Sequence, residues 1–389
     1  MKKRRIATGI DLGTHHIKVV VVEEVAGSEG VTRKIIGTGL SESAGLRHGY
    51  VVDTEEAASA ILAAKRQAES VARVPIKNAF LAIGGISLDE HRAKGEAIIS
   101  RADQEITELD IEKTLEAARS SIEKEFQNRV VLHEIPLEFR IDGVRALGDP
   151  LGMKGLRLEA DYLFVSSLKS HVEALVNASE GADIDVVDKM ASPLAGSYVT
   201  LSKDQKMKGC VLANIGAETV SIVVYDEGLP ISLKVFPIGS TSITDELALG
   251  FRVSLEDAER IKMGRLSGAM YPKRKIDEIV SSRFRAMFEL VDTHLKVLGR
   301  RGNLPAGIIL SGGGSGHGSV TDIARGSLSL PSRPADLRVP PDSKIRDATW
   351  AVAYGLALWG LTGSTEAPRS RPLVKLGKSA MNFLKQFLP

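Results

Sequence analysis

Two short glycine turns carry the residue types needed to grip a polyphosphate. The first is Asp11-Leu12-Gly13-Thr14, followed by Lys18. Glycine lets backbone approach an anion closely, and successive turn amides form an anion-binding concavity. Thr14 offers a hydroxyl and Lys18 a positive charge. Asp11 is the candidate to hold a hydrated Mg²⁺, an ion that keeps several of its waters. The second turn, Asn214-Ile215-Gly216-Ala217-Glu218-Thr219, repeats the arrangement 203 positions later, with Asn214, Gly216, Ala217 and Thr219 as its phosphate-facing candidates. A third element, residues 308–316, ends an apolar run in Gly312, Gly313 and Gly314, where a flat ligand can come close to backbone. Glu259 and Lys262, at i and i+3 on one helix face, either reach a ribose and a purine edge or form an ordinary ion pair. His15 and His16 adjoin the first turn. Neighbours on a strand point apart, so they read as polar turn residues and a poor chelate.

The elements that must position these groups alternate strand and helix over most of the length, which implies an α/β architecture. Residues 6–10 and 17–22 read as strands around the first turn, and 210–215 and 221–225 as strands around the second. Two similar lobes, each offering one hairpin, would then face each other across a cleft. Residues 54–72 read as a helix with Thr54 as N-cap, and 109–124 as a helix behind Thr107. Residues 86–165 have a charged, strand-rich texture, as expected of a small inserted α+β unit. The expected division is 1–85 plus 166–206 for the first lobe, 86–165 for the insert, 207–361 for the second lobe, 362–375 for a linker, and 376–389 for a terminal amphipathic helix.

Composition narrows the classes. The 389 residues carry 51 basic and 49 acidic side chains, too balanced for a nucleic-acid binder that works by bulk charge. The single cysteine, Cys210, excludes an internal disulfide and reads as a small buried hydrophobe. Spanning a membrane takes roughly 20 apolar residues; the best candidate, 350–361, is too short. Residues 1–5 imitate the start of a signal peptide without the apolar run that should follow, so the body is expected in the cytosol.

The last residues differ. Ala380, Met381, Phe383, Leu384, Phe387 and Leu388 follow helical spacing, while Lys378 and Lys385 lie elsewhere on the helix. From 362 onward, Arg369, Arg371, Lys375, Lys378 and Lys385 stand against one acidic residue, Glu366. A basic amphipathic helix on a linker can lie in the headgroup layer of an anionic bilayer. Three turns are marginal alone in water, which favours folding on a surface.

The glycine turns, in this order with Glu259, Lys262 and the third glycine run, resemble the actin–Hsp70–hexokinase ATPase fold. Asp149-Pro150-Leu151-Gly152-Met153-Lys154-Gly155-Leu156-Arg157-Leu158-Glu159 looks like a signature of the bacterial cell-division family FtsA. The segments 49–53, 238–239, 254–262 and 348–357 also look like segments of that family. The resemblance covers about residues 6–361, and the tail agrees with it. It implies a two-lobed actin/Hsp70-like body with an inserted subdomain, ATP and Mg²⁺ in the cleft, and a C-terminal membrane-targeting helix. It further implies a peripheral place on the cytoplasmic side of the membrane at the division site, and docking of the C-terminal peptide of the tubulin-like protein FtsZ. Recruitment of other division proteins and self-association into filaments are implied too. Lys296, Arg300 and Arg301, read as a basic helical stretch, are candidates for the FtsZ peptide. The sequence departs from the family where Asn214 and Ser192 stand in place of acidic residues. Ser221 replaces a usual Asp, and Glu218 adds negative charge beside the phosphate position. Hydrolysis should then be weak or absent. Two alternatives share the fold: a cytosolic adaptor of type IV pilus assembly, which would not need the tail, and an active ATPase or sugar kinase.

Overall fold

The structure is a computed structural model that describes residues 4–27, 30–266, 271–340, 343 and 345–363. The chain opens with a meander of β1 (Arg4–Leu12), β2 (His16–Gly27) and β3 (Gly30–Glu42). A small hairpin, β4 (Leu46–Arg47) and β5 (Tyr50–Val51), leads to α1 (Thr54–Ala72) and β6 (Asn78–Ile83). The insert follows as β7 (Asp89–Ile98), α2 (Glu108–Ser121), β8 (Arg129–Ile141), β9 (Val144–Arg145) and β10 (Arg157–Leu168). The chain returns through α3 (Lys169–Gly181), β11 (Asp185–Ala191), α4 (Ser192–Thr200) and α5 (Lys203–Lys208). A second meander comprises β12 (Cys210–Ile215), β13 (Val220–Asp226) and β14 (Leu229–Phe236). It is followed by α6 (Thr241–Phe251), α7 (Leu255–Lys262), α8 (Lys273–Val297), β15 (Gly307–Ser311), α9 (Val320–Leu328), β16 (Ser332–Pro334) and α10 (Ala351–Gly363).

The repeat seen in the sequence is a repeat of topology. One sheet has the order β3-β2-β1-β6-β11 and another β14-β13-β12-β15-β16. In each, three antiparallel strands are followed by two that run parallel to the first. Asp11 and Asn214 hold the same place, one residue before the end of the first strand. The insert has its own sheet, β7-β10-β8-β9, and its own core, with Leu115, Phe139, Leu158, Tyr162 and Phe164. Its outer strand β7 alternates buried and exposed over its second half, the pattern of a sheet covered on one face.

Ile61, Ala64 and Ala68 of α1 and Leu175 of α3 pack on the first sheet; Phe284, Met287 and Phe288 of α8 pack on the second. A further cluster joins the lobes at their base. Met190, Leu194, Leu212, Val223, Tyr225 and Leu356 share one buried apolar body. Within it Ser197 Oγ and Tyr225 Oη lie 2.8 Å apart, tying α4 to β13. Cys210 is buried there, and burial pushes its thiol up to about 12, so it serves as a core residue.

Several local expectations need correction. The N-cap of α1 is Asp53, whose Oδ1 accepts from Glu55 N and Glu56 N at 3.0 and 2.9 Å; Thr54 is the first helical residue. A carboxylate satisfies two of the free amides and favours the positive end of the helix dipole. The helix behind Thr107 stops at Ser121 and ends in a short 3₁₀ turn, Glu123–Phe126. α10 was placed with the second lobe on chain order, yet it packs on β1, β2 and β6 of the first. Gly9 permits this, because a Cβ there would sit 2.1 Å from Ala353 O. Thr362, assigned to the linker, is helical, with its Oγ1 donating to Trp359 O at 2.7 Å.

Candidate functional site

The first hairpin places Asp11 opposite Lys18 and Leu12 opposite Ile17. A Cβ on Gly13 would lie 2.8 Å from His16 O, so the turn is tight enough to require glycine there. Burial raises the Asp11 carboxyl above its ordinary value, and Lys18 across the hairpin opposes that only in part. Asp11 accepts no hydrogen bond among the described residues, which leaves a partly buried carboxylate suited to a cation. His15 lies in the turn and not on a strand, so the expected alternation fails. Its ring meets that of His16 edge to face at 4.3 Å.

The second hairpin has the same turn. Gly216 N donates to Thr219 O at 2.8 Å, and a Cβ on Gly216 would lie 3.0 Å from that oxygen. The carbonyls of Gly216 and Ala217 accept from Ser240 N and Thr241 N at 2.9 and 2.8 Å, at the start of α6. The turn is therefore held from behind by its carbonyls. The amides of Ala217 and Glu218 in this turn, and of Thr14 and His15 in the other, find no acceptor among the described residues. Four open amides and one unpartnered carboxylate fit an anionic ligand carrying a cation.

Gly312 closes a third side. Its φ of 85° and ψ of 167° belong to a region that side chains avoid, and a Cβ would lie 2.2 Å from Asn214 Oδ1 and 2.4 Å from Ile215 O. Gly314 is also pressed against the hairpin, with its Cβ position 2.5 Å from Ile215 Cγ2, whereas Gly313 faces open space. Glu259 and Lys262 do pair, at 2.6 Å, but not as a plain surface bridge. Lys262 Nζ also donates to Thr244 Oγ1 at 2.8 Å and Ser240 O at 3.3 Å, and Thr244 Oγ1 donates to Glu259 Oε2 at 2.7 Å. Against burial, which raises it, the Lys262 ammonium and the Thr244 hydroxyl hold the Glu259 carboxyl below its ordinary value, and His15 of the other lobe adds a smaller pull in the same direction. Glu259 therefore lies within the electrostatic reach of the first hairpin. Ser192 heads α4 beside Gly84, where a Cβ would come 2.8 Å from its Oγ.

Sequence reasoning missed one participant. Glu218 does not hang free near the phosphate position; its Oε2 accepts from His48 N in the β4–β5 turn and lies 3.9 Å from His48 Nδ1. His48 and Gly49 have φ of 50° and 82°, and Gly49 packs on Gly85. The dipeptide has the left-handed pair of a two-residue hairpin turn, which the quoted 49–53 segment could have revealed.

The basic candidates on the second lobe are not gathered. α8 ends at Val297, so Arg300 and Arg301 lie in the turn beyond it, not on a helix. Arg300 pairs with Asp226 at 2.6 Å and Arg301 with Asp292 at 2.9 Å. The membrane-contacting candidates Met381, Phe383, Leu384, Phe387, Leu388, Lys378 and Lys385 lie outside the described residues. No described helix is long and apolar enough to cross a membrane.

Comparison with known proteins fits this geometry. The sequence model for the "SHS2 domain inserted in FTSA" matches residues 89–166, and that for "Cell division protein FtsA" matches 211–355. The chain is 30% identical over 379 residues to the cell division protein FtsA of Bacillus subtilis, covering 92% of this chain and 83% of that one. It is 27% identical to that of Borreliella burgdorferi (92% and 91%) and 29% identical to that of Pseudomonas aeruginosa (92% and 89%). Among solved structures, the PilM–PilN type IV pilus biogenesis complex aligns with a TM-score of 0.69 at 18% identity, over 91% of this chain and 98% of that one. MreB5 of Spiroplasma citri bound to ADP aligns at 0.51 and 13%, over 92% and 97%. These structures establish an actin-like fold, while the sequence relatives and the matched insert establish kinship: the chain belongs to the FtsA family of cell-division proteins.

Proposed function

We propose that the chain is a membrane-attached adaptor of cell division whose cleft holds Mg²⁺–ATP. Gly13, Thr14, Lys18, Gly216, Ala217 and Thr219 would hold the phosphates, and Asn214 would hydrogen-bond a metal-bound water. Asp11 would hold the Mg²⁺, while Glu259, Lys262 and Gly312–Gly314 would border the nucleoside. The observation that carries this is the pair of equivalent glycine hairpins, with four amides that find no acceptor among the described residues and the Asp11 carboxylate at the end of the first strand. When bound, the nucleotide supplies negative charge that both lobes share. The chain's own part is to orient the turns and to keep the cleft closed, in the sense that a ligand preferring one state populates it. Asn214 and Ser192 offer no carboxylate to take a proton from water, so hydrolysis is slow or absent in this reading. A fluorescent ATP analogue titrated with and without Mg²⁺ tests the site. Saturable, Mg²⁺-enhanced binding lost in Gly216→Val supports it, and no binding to the folded wild type refutes it.

The tail, 376–389, would lie on the anionic inner leaflet as a basic amphipathic helix. The body would dock the C-terminal peptide of FtsZ, recruit later division proteins and associate with its own copies in filaments. The peptide site is less well supported at Arg300 and Arg301, since both are already paired with aspartates of this chain. The pilus-adaptor reading shares only the fold, and the basic apolar tail speaks against it.

A further inference from the structure

The last described helix finishes at a defined end of the first lobe. α10 runs antiparallel to β1: Gly9 lies against Ala353 and Ala357, while Arg5 Nη2 donates to Leu361 O at 2.6 Å. The described residues therefore end, at 363, beside the beginning of β1 and away from the Gly13 turn. Strands β3 and β6 run parallel to β1 and begin at this same end. Helix α1 finishes there, because Gly37 lies against Ala68 and Ala72, and Gly39 against Ala64.

This end is rich in cations. Arg4 pairs with Glu23, and Arg5 and Arg33 share Glu24 at 3.0 and 2.9 Å. Lys34, Arg73 and Lys77 are exposed and enter no ion pair among the described residues. The Glu69 carboxylate nearby accepts from Ile76 N at 2.7 Å, and Asp183 and Asp185 lie toward the β11 border. In the sequence, Lys2 and Lys3 precede Arg4.

We propose that this end of the first lobe, centred on Lys34, Arg73 and Lys77, is a second lipid-facing surface that recognises anionic phospholipid headgroups. The proposal rests on the tail being the membrane anchor. Twelve residues, 364 to 375, separate the described body from the tail in the sequence, a reach of about 20 Å if they act as a coil. A tether of that reach lets the anchored body touch the bilayer, inside the Debye length of about 8 Å at physiological salt. At that range the loose cations add attraction and select one orientation, with the nucleotide cleft turned away from the lipid. Basic residues close to an anionic surface each contribute about fivefold in partitioning.

The test uses the full chain and vesicles of phosphatidylcholine with or without phosphatidylglycerol. The triple variant Lys34→Glu/Arg73→Glu/Lys77→Glu, tail intact, should bind phosphatidylglycerol vesicles at least about tenfold more weakly than wild type. The gap should shrink as salt rises and be absent on phosphatidylcholine alone. The milder Lys34→Gln/Arg73→Gln/Lys77→Gln should lose less in the same direction, with both variants melting as wild type does. Phe383→Glu/Phe387→Glu reports separately on the anchor. If that variant fails to bind while the triple reversal binds like wild type, the second surface is overturned and the anchor stands. If the tail variant binds like wild type, the anchor reading itself falls.

Discussion

Gly312→Ala should damage the cleft more than any other single-methyl addition in its loop. The φ of 85° with ψ of 167° is closed to side chains, at a cost of about 1–3 kcal/mol. The added Cβ would also meet Asn214 Oδ1 at 2.2 Å and Ile215 O at 2.4 Å. The second contact is backbone in the middle of the hairpin, so relief requires either the loop or the turn to move; overpacking of that kind adds about 1–3 kcal/mol. The sum, roughly 2–6 kcal/mol, falls on the contact between β15 and the phosphate-facing hairpin. Gly316, four residues on, has open space around its Cβ position and no left-handed φ, so Gly316→Ala is the internal control. Urea unfolding read by tryptophan fluorescence, together with titration of a fluorescent ATP analogue, measures both effects. Gly316→Ala should stay within about 1 kcal/mol of wild type, as a mild glycine change does. Gly312→Ala should lose stability, affinity or both. Equal stability and equal affinity in the two variants would refute the packing argument.

Other outcomes follow from buried charge. Glu90 of the insert accepts from Ser232 Oγ at 2.7 Å and Leu233 N at 2.5 Å on the second lobe, and burial raises its carboxyl above 4.5. A raised folded value means that its stability contribution is complete below pH 4.5 and is lost as pH rises through the folded value. Urea midpoints across that window should fall in wild type and stay flatter in Glu90→Gln. Asp110 behaves oppositely. Its carboxyl is lowered to about 2, by Arg101 and Thr107 against the cost of burial. Stability present above pH 3.8 is therefore lost as pH falls toward 2, and Asp110→Asn should lack that loss in an acid titration followed by circular dichroism. Asp11→Asn should raise the melting temperature without metal, because it removes a desolvated charge, and should abolish any Mg²⁺-dependent gain in nucleotide binding. Tyr225→Phe, which removes the hydroxyl facing Ser197 and leaves that serine only its bond to Leu194 O, should cost about 1 kcal/mol in the same unfolding assay.

The sequence made the repeat legible because each hairpin packs a glycine, a hydroxyl and a polar strand-end residue into a few positions. Equivalent placement of Asp11 and Asn214 follows from that local grammar. The insert was legible for a related reason: its charged alternation contrasts with the apolar β12 and β13, both buried on two faces. What chain order could not give was long-range pairing. Ala351–Gly363 follows the second lobe in sequence but finds its complementary surface at Gly9, over 340 positions earlier. Glu218 reads as a charge beside phosphates until folding brings His48 to it. Arg300 and Arg301 look like an open basic stretch until Asp226 and Asp292 meet them. Except for Asp292, nine residues before Arg301, the deciding partner is distant in sequence, and no period or cap signals it.

The central claim is that one chain links the division polymer to lipid through its tail. Co-sedimentation of FtsZ polymers with phosphatidylglycerol vesicles tests it most directly, using the full chain and a chain ending at residue 363. The account predicts that vesicles carry FtsZ down with the full chain and leave it in solution with the shortened one. FtsZ recovered equally with both chains, or with neither, would contradict it.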